Sequence, residues 1–268
     1  MAFFEHDKIS FHYRDEGQGL PFFFQHGLGA DITQPFELFC PPAGVRLIAF
    51  DCRAHGETRP VGDLEKIRLS TFADDLRALM THLQIKEAIV GGISMGAATV
   101  LNFTLRFPGA VRGLVMSRPA WTDRPHPWNV HIFTLIASLI REYGPVRGKE
   151  LFLESAEYKE AIEQWPDVAR SLAGQFEDPR VEETVAKFVR IITDKPCESL
   201  EQLRSIRVPT LVLANDVDPI HPLEFGPLLA KYISGAQFRQ ITAKSASVEA
   251  HERDVQEALE QFFKTYFI

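Results

Sequence analysis

The feature that most constrains the fold is a serine between two glycines at residues 92–96, Gly-Ile-Ser-Met-Gly. An apolar run at 88–90 precedes it, and a run suited to a helix follows at 97–101. A strand that turns sharply into a helix holds its serine in a strained conformation above a sheet, and glycines leave room for the close backbone approach. The bare pattern arises by chance in about one chain in twenty, so its context carries the prediction. We expect Ser94 to be a nucleophile, with an ordinary helix cap as the alternative.

Strand and helix patterns alternate along most of the chain. Strands are predicted at 2–5, 9–14, 21–25, 45–50, 87–93, 111–117, 209–214 and 237–241. Helices are predicted near 34–39, at 70–83, from the serine to 107, and at 223–232 and 247–266. Such alternation is typical of parallel βαβ units. The sequence therefore predicts the α/β class, with a doubly wound, mostly parallel sheet.

The alternation stops between residues 118 and 206, where no strand pattern is found. Helical patterns there run over 129–143, 148–154, 157–164, 169–176 and 181–193. We interpret 118–206 as an inserted helical cap (lid) and 1–117 with 207–268 as the core domain. The entry to this insertion carries Trp121 and Trp128, which are expected either to line a substrate pocket or to attach the cap to the core.

Composition excludes several classes of function. The 268 residues are 45% hydrophobic and 24% charged, as in an ordinary globular protein. The net charge of −7 disfavours nucleic acid and anionic membrane surfaces as partners. The apolar stretch at 130–140 is too short to span a bilayer. Three scattered cysteines and an N-terminus without a signal-peptide pattern predict a cytoplasmic protein. The expected partner is a small-molecule substrate, and a homodimer is left open.

Three further segments carry motifs beside the Ser94 turn. His-Gly-Leu-Gly at 26–29 ends the predicted strand at 21–25. Asp-Cys-Arg-Ala-His-Gly-Glu-Thr at 51–58 follows the next strand, and Ala-Asn-Asp-Val-Asp-Pro at 214–219 follows a later one.

Together these motifs resemble the α/β-hydrolase family, over essentially the whole chain except that the insertion matches only in position. Segment 51–58 resembles the family's D-x-R-G-H-G-x-S loop, with Ala54 and Thr58 as departures. The resemblance implies an oxyanion hole formed by the backbone N–H groups of Leu28 and Met95. His26 and His55 are expected to be structural.

The resemblance also implies a triad acid in segment 214–219. Asp218 aligns best, because the family acid lies about four residues past the strand. Asp216 and Asp123 remain the alternatives.

The general base is where the sequence departs from the family. The family histidine falls near Ser245, in a loop at 241–247 that holds no histidine. The nearest is His251, whose spacing from Val248 and Val255 places it on the inward face of the last helix. We expect His251 to be the base; a buried structural histidine, and His221 as the base, remain open.

The expected chemistry is covalent catalysis by serine. Ser94 attacks a carbonyl carbon while His251 accepts its proton and Asp218 orients the imidazole, so neither a metal nor an organic cofactor is required. The predicted function is a serine hydrolase that cleaves a small, hydrophobic carboxylic ester or related acyl or C–C bond. The alternatives are a small-molecule binding protein with little turnover, which the missing histidine favours, and perhydrolase or haloperoxidase activity with the same triad.

Overall fold

Eight strands form a single sheet in the computed structural model, which describes residues 2–268. They are β1 (Ala2–His6), β2 (Ile9–Gly17), β3 (Leu20–Gln25), β4 (Val45–Phe50), β5 (Ala88–Ile93), β6 (Val111–Ser117), β7 (Thr210–Ala214) and β8 (Gln237–Gln240). Their order in the sheet is β1-β2-β4-β3-β5-β6-β7-β8. Strand β2 runs antiparallel to β1 and β4, and all other neighbours are parallel. The predicted doubly wound, mostly parallel sheet is confirmed.

Ten α-helices accompany the strands in the described residues. They are α1 (Thr33–Leu38), α2 (Leu69–His82), α3 (Met95–Arg106), α4 (Ile132–Glu154), α5 (Ala156–Gln164), α6 (Pro166–Gly174), α7 (Val181–Thr184), α8 (Lys187–Arg190), α9 (Phe225–Tyr232) and α10 (Val248–Tyr266). None of these helices is long and apolar enough to cross a membrane.

The sheet buries both of its faces, each in a separate apolar cluster. Side chains alternate between the faces along a strand, so Phe23 joins one cluster while Phe22 and Phe24 join the other. Helices α2 and α3 supply the first cluster, and α1 and α10 supply the second. The central parallel strands are therefore mostly apolar, as expected of strands covered on both sides.

Only helices and turns occupy residues 118–206, which connect β6 to β7. The helices predicted at 129–143 and 148–154 both lie largely within α4, which is interrupted at Gly144 (φ 72°, ψ 169°) before Pro145, where the sequence predicted a break. The pattern predicted at 181–193 is divided into α7 and α8, because Phe188 and Val189 bond three residues back, to Val185 and Ala186.

Buried cations join this helical segment to the loop after β4. The guanidinium of Arg180 donates to the carbonyl oxygens of Gly56 (2.6 Å) and Thr58 (3.0 Å). The Lys187 side chain, only 2% exposed, donates to the carbonyl of Ala54 (3.2 Å). These bonds fix the segment over one end of the sheet.

Candidate active site

Ser94 lies between β5 and α3 in a strained backbone conformation, with φ 55° and ψ −111°. Its N–H donates to the carbonyl of Ser117 at the end of β6 (3.0 Å). A Cβ on Gly92 would lie 2.1 Å from the backbone of Gly96, and one on Gly96 would lie 2.3 Å from the carbonyl oxygen of Gln25. Glycine is therefore sterically required on both sides of this turn.

Ser94 lines a cavity of about 370 Å³ between the carboxyl ends of the strands and the helical segment. One part of the lining is apolar and includes Leu28, Phe133, Val168, Leu172, Ile220 and Val248. Another part is charged and includes Arg118, Asp167, Arg170, Asp218 and Lys244. Such a mixture can hold an apolar body and orient it by a few polar groups.

Asp218 and His221 also line this cavity, and both belong to the loop after β7. Nδ1 of His221 lies 2.8 Å from Oδ2 of Asp218. Because an ionised carboxylate only accepts hydrogen bonds, Nδ1 carries the proton and Nε2 is an acceptor. Nε2 is buried and has no partner within residues 2–268. His221, which lines the same cavity as Ser94, therefore has an unpaired hydrogen-bond acceptor at Nε2.

Backbone groups fix the Asp218 carboxylate. Its Oδ1 accepts from the N–H groups of Ile220 (3.0 Å) and His221 (3.2 Å). The guanidinium of Arg118 approaches Oδ2 at 3.4 Å. From the helical segment, the Asn129 amide donates to the carbonyl of Ile220 (2.6 Å). Acid and imidazole are thus held in one loop that is braced from two sides.

The two pKa values favour an ionised acid beside a neutral ring. Burial alone would raise the pKa of Asp218, but His221, Arg118 and the Ile220 N–H lower it well below its usual range. Burial lowers the pKa of His221; the Asp218 charge opposes this effect, and Arg118 adds to it. A neutral imidazole beside a carboxylate is the form that can accept a proton from a hydroxyl.

The structure does not bring His251, the expected base, to Asp218. Its ring is fully buried on the inward face of α10, as predicted, but it does not line the Ser94 cavity. Nδ1 donates to the carbonyl of Thr242 (2.7 Å), and Nε2 is buried without a partner in the described chain. Burial, with smaller effects from Arg118 and Lys244, lowers its pKa to about 4. Because the turn at 241–247 lies against the ring, the carbonyl of Thr242 accepts the hydrogen bond that Asp218 was expected to accept.

The alternative acids occupy other places. Asp216 is exposed and accepts from the Gln240 amide (3.2 Å). Asp123 accepts from the N–H of Leu200 (3.3 Å). Among the three candidate acids, Asp218 alone contacts an imidazole.

The two predicted oxyanion donors lie at the ends of β3 and β5. Leu28 lines the cavity, and Met95 is the first residue of α3. No protein acceptor within residues 2–268 receives either N–H. The preceding turn is braced by Gln34, whose Oε1 accepts from the Gly27 N–H (2.8 Å), and by His26, whose Nε2 accepts from the Cys52 N–H (3.0 Å).

Neither tryptophan suggested for the pocket lies at the Ser94 cavity. Trp121 is 1% exposed and belongs to the main apolar cluster. Trp128 is 68% exposed and lines, with Trp165, a neighbouring groove that shares Val168, Leu172 and Ile220 with the cavity. The pocket interpretation is therefore wrong for Trp121, which fits the alternative of attaching the cap to the core, and Trp128 lies beside the cavity rather than in it.

Among the cavity residues that the sequence did not predict are two cations, Arg118 and Lys244. Arg118 is the first residue after β6 and adopts a left-handed conformation (φ 47°). Lys244 lies in the loop after β8, next to the position where a histidine was sought. The position expected for the family histidine, near Ser245, already identifies this loop as part of the site, and Lys244 is the charged residue next to that position. No cluster of His, Cys, Asp or Glu in residues 2–268 could hold a metal ion.

Comparisons with known proteins agree with this architecture. A family model described as alpha/beta hydrolase fold matches residues 21–244. The AB hydrolase superfamily protein YisY of Bacillus subtilis is 28% identical over 240 residues, 86% of each chain. 3-Oxoadipate enol-lactonase 1 of Acinetobacter baylyi is 24% identical and covers 87% of this chain and 85% of its own. A thermophilic esterase from Thermogutta terrifontis, solved with malate bound, superposes with a TM-score of 0.74 at 26% identity, covering 96% and 94% of the two chains.

Proposed function

Because the chain belongs to the α/β-hydrolase fold family, we propose that it is a serine hydrolase that cleaves a carboxylic ester or related acyl compound through an acyl-enzyme on Ser94. The sequence-based prediction of an α/β hydrolase is confirmed by the family match and by the similarity to named hydrolases. The catalytic roles, the bond cleaved and the substrate class are our proposals.

In the first step, Oγ of Ser94 attacks the carbonyl carbon and the proton of the hydroxyl passes to Nε2 of His221. Asp218 holds the opposite nitrogen and stabilises the imidazolium that forms. The negative charge that develops on the carbonyl oxygen is received by the N–H groups of Leu28 and Met95, and each such donor contributes about 3–4 kcal/mol by mutational precedent.

In the second step, the tetrahedral intermediate collapses and the alcohol leaves with the proton from His221. Water then attacks the acyl-enzyme, giving up a proton to the neutral His221, and a second collapse returns it to Ser94 and releases the acid. The whole reaction consumes one water and balances without an oxidant, a reductant or a metal.

The observation that carries this proposal is the 2.8 Å hydrogen bond between His221 and Asp218 in the cavity that Ser94 lines. No hydrogen bond joins Ser94 Oγ to His221 in the described chain, and catalytic hydrogen bonds often tighten only when substrate is bound. The binding-protein alternative arose because the expected loop holds no histidine. His221 supplies the missing imidazole from another loop, which favours turnover.

A fluorophosphonate probe tests this proposal, since it reacts with activated serines. We expect one adduct, mapped to Ser94 by peptide mass spectrometry and absent from Ser94→Ala. His221→Gln should abolish labelling, whereas the matched variant His251→Gln should keep it. Labelling that survives in the first variant and disappears in the second would return the base to His251. An unlabelled native protein would favour a binding protein.

We further propose that 118–206 acts as the cap of this enzyme. The support is that Phe133, Val168 and Leu172 from this segment line the cavity above Ser94. The apolar lining suits the hydrophobic body of a small substrate. The three free cysteines accord with the proposed cytoplasmic location.

A further inference from the structure

Three cations line the Ser94 cavity, and the proposed mechanism uses none of them: Arg170 is exposed on α6, whereas Arg118 and Lys244 are partly buried. Arg118 stands at the carboxyl end of β6, and Lys244 stands in the loop after β8. The loop of Asp218 and His221, after β7, lies between them because β7 is the central strand of these three. These two cations therefore flank the proposed catalytic pair on both sides.

Neither cation is well paired. The Arg118 side chain is only 11% exposed, its single carboxylate contact is the 3.4 Å approach to Asp218, and its Nε is buried without a partner in residues 2–268. Lys244 is half-buried and makes no hydrogen bond or ion pair within the same residues. A buried donor left unpaired is costly unless a ligand satisfies it.

The nearby carboxylates make few direct contacts with these cations. Asp218 is already bonded to His221 and to two backbone N–H groups. Asp167 lines the cavity from the first turn of α6 and forms no ion pair with either cation in the described residues. Glu37 and Glu252 line a small pocket of about 50 Å³ that Arg118 and Lys244 also border, and neither forms an ion pair with them.

The repulsion between the cations is expressed in the titration of Lys244. Burial lowers the pKa of its ammonium, and the positive charge of Arg118 lowers it further, while Glu252, Asp167 and Glu37 oppose these effects only in part. An anion in the cavity that both cations border would relieve both effects, since hydrogen bonds between charged partners are about twice as strong as neutral ones.

We propose that Arg118 and Lys244 form an anion subsite that binds a carboxylate carried by the ester substrate. The substrate class is then an amphiphilic ester, with a carboxylate at this subsite and an apolar body against Phe133, Val168 and Leu172. That the bound compound is an ester cleaved by this protein depends on the proposed function. The anion subsite does not depend on it, because binding can be measured without turnover.

The test is isothermal titration calorimetry on Ser94→Ala protein, which lacks the attacking hydroxyl. Two anionic esters are compared with neutral methyl pentanoate. Methyl hydrogen glutarate carries its carboxylate on the acyl side, and 3-acetoxypropanoate carries it on the alcohol side. We expect one of them to bind about 10- to 100-fold more tightly than the neutral ester.

Variants at Lys244 assign the effect. In the same Ser94→Ala background, Lys244→Met should reduce that preference about 10-fold or more, and Lys244→Arg should retain most of it. Lys231→Met, which removes a cation from the exposed surface of α9, is the matched control and should leave it unchanged. Equal affinities for all three esters, or a preference that survives Lys244→Met, would overturn the inference.

Calorimetry of the Ser94→Ala protein and labelling of the native protein together distinguish failure of the anion subsite from failure of the proposed hydrolase. A preference for the anionic ester together with an unlabelled, inactive native protein would leave the subsite standing and reject the hydrolase. Hydrolysis at Ser94 without tighter binding of either anionic ester would support the hydrolase and reject the subsite.

Discussion

Nδ1 of His221 and Oδ2 of Asp218 are joined by a 2.8 Å hydrogen bond, although the two residues are only three positions apart. Acid and imidazole therefore come from one turn of chain after β7, and the turn itself sets their geometry. The Asp218 carboxylate accepts the N–H of Ile220 and of His221 with its other oxygen, so a single side chain both shapes the turn and orients the ring.

Asp218→Asn should lower kcat/KM on a 4-nitrophenyl ester about 10³- to 10⁴-fold, because an amide neither holds the required tautomer nor stabilises the imidazolium. Asp216→Asn is the matched control, since this exposed carboxylate lies two residues away and contacts Gln240 instead. Its kcat/KM should stay within about threefold of the native value. Losses of similar size in both variants would contradict the assignment of Asp218.

The pH dependence of kcat/KM should show an acid limb with its midpoint below the ordinary histidine value of 6.5, because burial lowers the pKa of His221. Activity is lost as pH falls, since the protonated ring cannot accept the proton of Ser94. Lys244→Met should move the midpoint upward, because the Lys244 charge lowers this pKa. Profiles are measured between about pH 4.5 and 8.5, with circular dichroism to confirm folding. A midpoint above 7 would contradict the lowered pKa of His221.

His251 should make the folded protein sensitive to acid. Its pKa is about 4 in the folded state and 6.5 when unperturbed. As pH falls from 6.5 to 4, the unfolded chain binds a proton that the folded chain does not, so stability present above 6.5 is lost, by up to about 3 kcal/mol.

Urea unfolding at pH 7 and pH 4.5 measures this effect. His251→Gln should reduce the difference in unfolding free energy between the two conditions, whereas His131→Gln, at an exposed position, should keep it. Identical pH dependence in native protein and His251→Gln would exclude this source of acid sensitivity.

Gly96→Ala should destabilise the protein by about 3 kcal/mol or more, because the new Cβ would lie 2.3 Å from the carbonyl oxygen of Gln25 and backbone surrounds it. Gly174→Ala is the control: its backbone is helical (φ −62°) and nothing lies within 4 Å of the added Cβ. That variant should be neutral or more stable by about 0.5–1 kcal/mol. Denaturant midpoints compare them, and equal midpoints would show that the turn at Ser94 tolerates a side chain.

Much of the fold could be predicted from the sequence because its signals are local. Apolar runs such as 45–50 and 111–117 match β4 and β6 in full. The glycines around Ser94 follow from a clash between neighbouring backbone segments, which any strand-to-helix turn of this kind imposes. The single helix predicted at 181–193 was wrong, because two N–H groups bond to carbonyls three rather than four residues back, which separates α7 from α8.

The candidate site was predictable only where a residue's role follows from its own segment. Ser94 and Asp218 line one cavity, as their positions at strand ends implied. The pattern left two places open for Trp121, because whether a large ring enters a pocket or the core depends on which helices cover it. Lys244 had no pattern of its own, and its environment is created by Arg118 from a distant strand.

The sequence alone determined the parallel sheet, the bend that exposes Ser94 and the inward face of the last helix, since these follow from steric limits and periodicity within a few residues. The tertiary structure decided which imidazole meets Asp218. His251 points inward as its spacing requires, yet the carbonyl of Thr242 lies against it, while His221 turns back onto its own loop. The Asp218–His221 pair is local, but the loss of His251 as a partner depends on how the loop after β8 packs against α10, which no single segment encodes.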